Sequence, residues 1–185
     1  YDDTAIVGVG NDAPNPRYSY VFTRSGTTWS QQQKLVASDW DDRFGVSVAI
    51  YGNNAIVGAS YYDYPGSSSN GNAGAAYIFV RSGSTWTRQA RIVASDAGWE
   101  DYFGKKVAIH DNVAIVGASS TSGSAYLFTR TGTTWTQQQK ILASDQDSSA
   151  WYGSSVSIFN GYVLVGWSGK ASNAGAAYIF ESNYG

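Results

Sequence analysis

The 185-residue chain contains no cysteine and no methionine, and it has one histidine and three prolines. Without cysteine it can form no disulfide, no thiolate metal site and no thiol nucleophile. Charged residues make up only 14% of the chain and the formal net charge is −2. The chain therefore lacks the strongly basic surface that attracts nucleic acids and anionic membranes. No apolar run approaches the roughly 20 residues that a membrane-spanning helix needs.

Apolar and aromatic residues, by contrast, are plentiful. Hydrophobic residues make up 43% of the chain and aromatic residues 15%, with seven tryptophans and fourteen tyrosines. This is enough material for a hydrophobic core, and the length suits one domain or part of a larger one.

One string of residues occurs three times. It reads FGVSVAIYGNNAIVGAS at 44–60, FGKKVAIHDNVAIVGAS at 103–119 and YGSSVSIFNGYVLVGWS at 152–168. The glycine of its IVG motif occurs a fourth time near the start of the chain, so that the four copies are Gly8, Gly58, Gly117 and Gly166. The spacing is about 50 residues, within the range of repeat architectures. The longest interval contains an insertion, YYDYPGSSSNGN, at 61–72.

Each repeat contains four short segments rich in β-branched and aromatic residues. In the second repeat these are an FG segment (46–50), an IVG segment (55–59), a YIF segment (75–81) and a TW segment (85–94). The FG and YIF segments alternate polar and apolar residues, as half-buried strands do, and glycine-containing hairpin loops such as RSGST join YIF to TW segments. Four antiparallel strands per repeat predict an all-β fold, a β-propeller. A β-solenoid is the main alternative, but its rungs are shorter and lack such hairpins.

These motifs resemble the FG-GAP repeat, the blade unit of the integrin alpha-chain propeller and its non-animal relatives. The pattern FG-x-SVAI, AIVGAS and GAAYIF carries the resemblance across the whole chain, and the trailing TWTQQQKILASD is most similar to the non-integrin branch. The resemblance implies a single propeller domain or propeller fragment over 1–185, with repeats at about 1–43, 44–102, 103–151 and 152–185.

The segments present amount to three and a half to four blades. Three FG, four IVG, four YIF and three TW segments can be counted. We expect part of a longer propeller; a compact ring of four blades and an arc completed by a neighbouring chain are the two alternatives. The intact mass of the native protein would distinguish them.

Acidic and aromatic residues precede each FG segment. An aromatic ring can stack on a sugar while carboxylates accept its hydroxyl protons, so these loops are candidates for ligand binding. The alternative is structural: the recurring Asp39, Asp96 and Asp145 cap turns, and the tryptophans wedge between sheets. The candidate residues are Trp40, Asp41, Asp42, Trp99, Glu100, Asp101, Asp147 and Trp151.

The insertion supplies three further candidates, Tyr61, Tyr62 and Tyr64. Repeat proteins place variable insertions on one face, which is often the binding face, and tyrosine-rich loops make good contact surfaces. A flexible linker is the alternative interpretation.

The outer, TW strands are predicted to be structural. Trp29, Trp86 and Trp135 are assigned to packing between blades, and the run QQQK is expected to face solvent. An open blade edge there is also a place where another chain could add a strand by self-association.

No cofactor is predicted. An integrin-type calcium loop reads D-x-D-x-D-G between the FG and IVG strands, but the loops here are short and poor in carboxylates, whereas calcium needs six to eight oxygens. Catalysis also has little support, because the only histidine is His110 and no G-x-S-x-G motif occurs. A glycosidase pair among Asp41, Asp42, Glu100 and Asp101 is conceivable, but nothing singles one out.

The predicted function is a non-catalytic, extracellular or surface-attached binding or adhesion module that contacts protein or glycan; with a glycan ligand it would be a lectin. One alternative is a structural subunit of a filament or sheath, and a second is a polysaccharide hydrolase. Neither nucleic acid nor a membrane span is expected.

Overall fold

The computed structural model describes residues 2–9, 18–37, 43–63, 71–121, 123–145 and 150–182. These residues form strands almost throughout, with one short helical turn. The elements are β1 (Thr4–Gly8), β2 (Tyr18–Ser25), β3 (Thr28–Val36), β4 (Phe44–Tyr51), β5 (Asn54–Ala59), β6 (Ala75–Ser82), β7 (Thr85–Ile92), β8 (Phe103–His110), β9 (Val113–Ala118), β10 (Ser124–Thr131), β11 (Thr134–Ile141), β12 (Tyr152–Phe159), β13 (Tyr162–Trp167), α1 (Lys170–Asn173) and β14 (Ala176–Glu181).

The strands form four antiparallel sheets in chain order. The first sheet contains β1 to β3, the second β4 to β7, the third β8 to β11 and the fourth β12 to β14. A complete sheet runs in the order FG, IVG, YIF and TW strand, as the sequence predicts. The described part of the first sheet has no FG strand, and that of the fourth has no TW strand. This arrangement confirms the all-β prediction of propeller-type blades.

The four sheets pack in a row, each against the next. Strand β1 contacts β4, strands β4 and β5 contact β8, and strands β8 and β9 contact β12. We call these contacts the first, second and third junctions. Each sheet lies within one of the four predicted repeats, whose boundaries stay a prediction.

A separate hydrophobic cluster fills each junction. At the second junction, Ile56 and Ile78 of the second sheet lie in one cluster with Phe103 and Val116 of the third, and all four are fully buried. Alternate residues of a strand point to opposite faces, so the two middle sheets bury both faces. This explains why their IVG strands read as continuous apolar runs.

The FG and IVG glycines meet where neighbouring sheets touch. A Cβ built on Gly58 would lie 1.9 Å from the carbonyl oxygen of Gly104, the FG glycine of the next sheet. The same contact joins Gly117 to Gly153. Gly104 also has φ of +90°, at a bulge where two residues of the FG strand, Gly104 and Lys105, have no pairing partner on the IVG strand. The recurring motif therefore encodes close approach of two backbones.

A second bulge, in each TW strand, links the outer strands of adjacent sheets. The pairing register shifts at Gln32 and again at Gln89, which are the extra residues of the two bulges. Gln32 accepts a hydrogen bond of 2.9 Å from the indole Nε1–H of Trp86, and Gln89 accepts an equal one from Trp135. The prediction that the glutamine run faces solvent is therefore wrong for Gln32, whereas Gln89 lies outside that run. The packing role predicted for Trp86 and Trp135 is confirmed, since they are 3% and 9% exposed, but it is wrong for Trp29, which is 47% exposed.

Candidate functional site

The sheets have two ends with different connections. At one, which we call the turn end, short turns join FG to IVG strands and hairpins join YIF to TW strands. At the other, the loop end, longer connections join TW strands to the next sheet and IVG to YIF strands. The candidate binding residues that the structure describes all belong to loop-end connections. Loops on a rigid scaffold commonly carry binding residues.

An aromatic and cationic stack lies at the loop end between the second and third sheets. The rings of Tyr61 and Tyr102 are 5.2 Å apart, and the guanidinium of Arg43 lies 3.6 Å from the centre of the Tyr61 ring. Burial, followed by the nearby negative charge of Glu100, raises the pKa of Tyr102, which stays a neutral hydroxyl. The insertion thus contributes Tyr61 to a surface that residues from two other loops complete.

The next loop holds three predicted residues with different roles. Trp99 is 65% exposed. Glu100 is half-buried, and its backbone N–H donates to the carbonyl of Gly71 in the insertion. Asp101 accepts a hydrogen bond of 2.7 Å from the N–H of Gly98, so its carboxylate closes the loop. Trp99 and Glu100 are therefore better placed than Asp101 to meet a ligand.

Trp151 is the corresponding exposed tryptophan before the fourth sheet. It is 48% exposed, and its N–H donates to the carbonyl of Ser120 over 3.0 Å. The tryptophans at the junctions are buried, as Trp86 and Trp167 show at 3% and 1% exposed. The loop end thus exposes two tryptophans, whereas those packed at the junctions are buried.

The residue before each FG motif has a left-handed backbone. Arg43, Tyr102 and Trp151 have φ of 61°, 53° and 76°. Each carbonyl accepts a hydrogen bond of 3.1 Å from the N–H three residues on, which makes a turn leading into the bulged FG strand. Bulky side chains rarely adopt this conformation, and such strain is concentrated at functional sites. The turn aims one large side chain per sheet at the loop end.

Asp96 and Asp145, the recurring aspartates that the structure describes, make contacts across the junctions, whereas Asp39 lies outside the described residues. Asp96 lies 2.7 Å from the Nζ of Lys140 in the third sheet, and this hydrogen bond holds the pKa of the carboxyl below its usual value. Asp145 accepts a 2.5 Å hydrogen bond from the hydroxyl of Tyr178 in the fourth sheet, which lowers its pKa in the same way. These contacts agree with the structural alternative, although the carboxylates bind the next sheet and do not cap a turn.

The remaining predicted residues fall outside the site as described. Tyr62 is only 4% exposed and packs in the core of the first junction, with the Arg91 guanidinium 4.7 Å from its ring. The other predicted residues that lie outside the described residues are Trp40, Asp41, Asp42, Asp147 and Tyr64.

Sequence reasoning missed two members of the site, Arg43 and Tyr102. Both occupy the position directly before the FG aromatic, as Trp151 does. Aligning that one position across the repeats would have found them, because all three carry a large side chain on a turn.

Two further findings concern metal ligands and membrane-spanning helices. Across the residues that the structure describes, no group of three or more His, Asp or Glu side chains is close enough to hold a metal ion. In the same part of the chain, no helix has the length and apolarity to cross a membrane. The prediction of no cofactor stays a prediction.

Sheets of this order, bulged at FG and packed through paired glycines, define a repeat protein of the propeller class. The chain belongs to the FG-GAP repeat family, which it matches over residues 29–79, 86–128 and 135–180. Each matched segment begins at the TW strand of one sheet and ends at the YIF strand of the next, so the sequence repeat spans a junction. No curated protein matches the chain.

Proposed function

We propose that this chain is a non-catalytic binding or adhesion module that acts outside the cell or on its surface and holds a glycan at the loop end. The observation that carries the proposal is the exposure of Trp99 and Trp151, at 65% and 48%, in adjacent loops. FG-GAP membership supports the extracellular location. A protein ligand is the alternative for the same surface.

A glycan is favoured by the chemistry of these loops. An exposed indole offers an apolar face against which the C–H groups of a sugar can pack. Glu100 lies next to Trp99 and supplies a carboxylate that can accept hydrogen bonds from sugar hydroxyls. The stack of Arg43, Tyr61 and Tyr102 adds donors and ring surface nearby.

Affinity electrophoresis tests the proposal. The chain is run through native gels containing a soluble β-1,3-glucan, a xylan, an α-mannan or a galactan, and at least one should retard it. Replacing both loop tryptophans, Trp99→Ala and Trp151→Ala, should weaken that binding by about tenfold or more, the loss expected on removing central aromatic contacts.

Trp29→Ala is the matched control, because Trp29 is 47% exposed but lies on an outer strand and not in a loop. It should leave retardation unchanged. Retardation by none of the four polysaccharides, or an equal loss in the control, would overturn glycan binding at this surface. Release of new reducing ends from a bound polysaccharide would overturn the non-catalytic assignment.

A structural subunit is the second candidate, and the fourth sheet favours it. Leu164 and Ile179 are 40% and 72% exposed on the face turned away from the third sheet. A second copy of the chain packing there would bury them. Sedimentation velocity should then show assemblies that Leu164→Ser with Ile179→Ser disperses, and a monomer at all concentrations would exclude this candidate.

A further inference from the structure

An arginine bridges each of the first two junctions at the turn end. Arg81 donates from Nε to Asn53 of its own sheet over 2.9 Å and from Nη1 to Thr4 of the preceding sheet over 3.0 Å. Arg130 likewise donates to Asn112 over 2.9 Å and to Asn54 of the preceding sheet over 2.7 Å. In both cases one guanidinium fills the space between two sheets.

The third junction has the same backbone but none of these three groups. Ser182 occupies the position of the arginine, two residues after the phenylalanine of the YIF motif. Gly161 replaces the asparagine of the turn, and Val113 replaces Asn54 at the start of the IVG strand. A cavity of about 750 Å³ lies there, lined by residues of both sheets that include Val113, Gly161 and Ser182.

Two buried polar atoms in the cavity lining lack hydrogen-bond partners among the described residues. They are Nε2 of His110 and Oγ of Ser182, in residues that are 9% and 8% exposed. A buried polar group without a partner costs about 1–3 kcal/mol, so native structures seldom leave one unpaired. Asp111 lies on the other side of the imidazole, with Oδ2 3.5 Å from Nδ1. With Nδ1 directed at that carboxylate, Nε2 is the acceptor nitrogen, and a donor reaches it once the side chains that cover it move.

The lining is acidic. It includes the carboxylate of Asp111, and none of its described residues is lysine or arginine. Glu181 also borders the cavity, but its side chain shares the strand face of Ile179, which is turned away from the third sheet. Arg130 reaches the lining residue Asn112 but directs its other nitrogen to the preceding sheet. Tyr162 borders the cavity at the turn, but its 56% exposed ring shares the strand face of Leu164 and not that of Val163. A carboxylate and unpartnered acceptor atoms together suit a planar cation that donates several hydrogen bonds.

We propose that this cavity binds a guanidinium group, such as the side chain of an arginine on a partner polypeptide. The ligand replaces, at the third junction, the guanidinium that Arg81 and Arg130 supply at the other two. The volume exceeds that of one guanidinium and admits the flanking part of a peptide, within the usual range for ligand pockets. The site lies at the turn end and is independent of the proposed glycan surface.

Isothermal titration of the whole chain with N-acetyl-L-arginine amide is the direct test. The neutral isostere N-acetyl-L-citrulline amide should bind at least about tenfold more weakly, because it lacks the charge that a hydrogen-bonded carboxylate recognises. Asp111→Asn should weaken arginine amide binding by a similar factor. Glu100→Gln, at the loop end, is the matched control and should leave it unchanged.

Ser182→Arg tests the proposal in the opposite direction, by adding a guanidinium to the cavity. It restores the arginine that the other junctions have, so it should block the cavity, abolish binding of the arginine amide and raise the melting temperature. If that variant does not fold, as judged by circular dichroism, the Asp111→Asn variant decides. The proposal is overturned if arginine amide does not bind, if citrulline amide binds as tightly, or if Glu100→Gln weakens binding as much as Asp111→Asn.

Discussion

The second and fourth sheets contain an identical heptapeptide in different surroundings. AGAAYIF occupies residues 73–79 and again 174–180. All seven residues are buried in the second sheet and none is buried in the fourth, where exposed and half-buried residues alternate along the strand. The second sheet lies between two others, whereas one face of the fourth has no described neighbour. Burial here is set by the position of a sheet in the row and not by its residues.

The largest expected effect comes from comparing one isoleucine at the two places. Ile78→Ala should cost about 4 kcal/mol in free energy of unfolding, because the side chain is fully buried and leaves a cavity. Ile179→Ala, at the equivalent and 72% exposed position, should cost about 0.5 kcal/mol or less. Urea unfolding of both variants measures the difference.

If Ile78→Ala does not fold, Ile78→Val keeps the comparison measurable at about 1 kcal/mol. Equal losses at the two positions would mean that the exposed face of the fourth sheet is covered in solution, for example by a second copy. The comparison between the sheets would then fail, and sedimentation velocity would identify the assembly.

The paired glycines give a second comparison of smaller size. Gly58→Ala should cost about 2–3 kcal/mol, because the new Cβ would meet the rigid backbone oxygen of Gly104 at 1.9 Å. Gly166→Ala should cost about 1 kcal/mol or less, since its Cβ meets the hydroxyl of Ser155, which can rotate away. Thermal unfolding checks both, and an equal loss would mean that the glycine contact between sheets does not constrain packing.

Much of the fold could be predicted from the sequence because each repeat has the same pattern of strand and turn residues. Alternation fixed the strands, and the hairpin glycine Gly83, with φ of +60°, fits the predicted turn. The glutamine run was misjudged because a bulge decides where Gln32 points, and a bulge follows from the pairing register and not from composition. Tyr62 could not be placed because its burial in the core of the first junction is a tertiary effect.

The binding surfaces were only partly predictable for a related reason. The tryptophans before the FG motifs were identified, but their exposure depends on the left-handed turn at Tyr102 and Trp151. The cavity at the third junction arises because the last repeat has smaller residues, Ser182 and Gly161, at the arginine and asparagine positions of the earlier repeats. Comparing Ser182 with the arginines of the earlier repeats indicates it, yet only the packed sheets show that the space stays open.

The smallest expected effect comes from the aspartate contacts that the second and third junctions share. The hydrogen bond from Lys140 holds the pKa of Asp96 below its ordinary value of 3.8. A carboxyl whose pKa is lower in the folded state stabilises the fold above that ordinary value, and this contribution disappears as the pH falls through the lower pKa. Asp145, paired with Tyr178 and Lys170, should show the same direction.

Asp96→Asn should therefore cost about 0.5 kcal/mol or less at pH 7, because the carboxylate and the ammonium are 48% and 38% exposed and solvent screens them. The difference from the parent chain should shrink in 1 M salt and vanish well below pH 3.8. Urea unfolding across that pH range measures it. A loss that persists at low pH would mean that Asp96 acts through its hydrogen bonds with a neutral side chain and not through its charge, which would make this junction contact insensitive to salt.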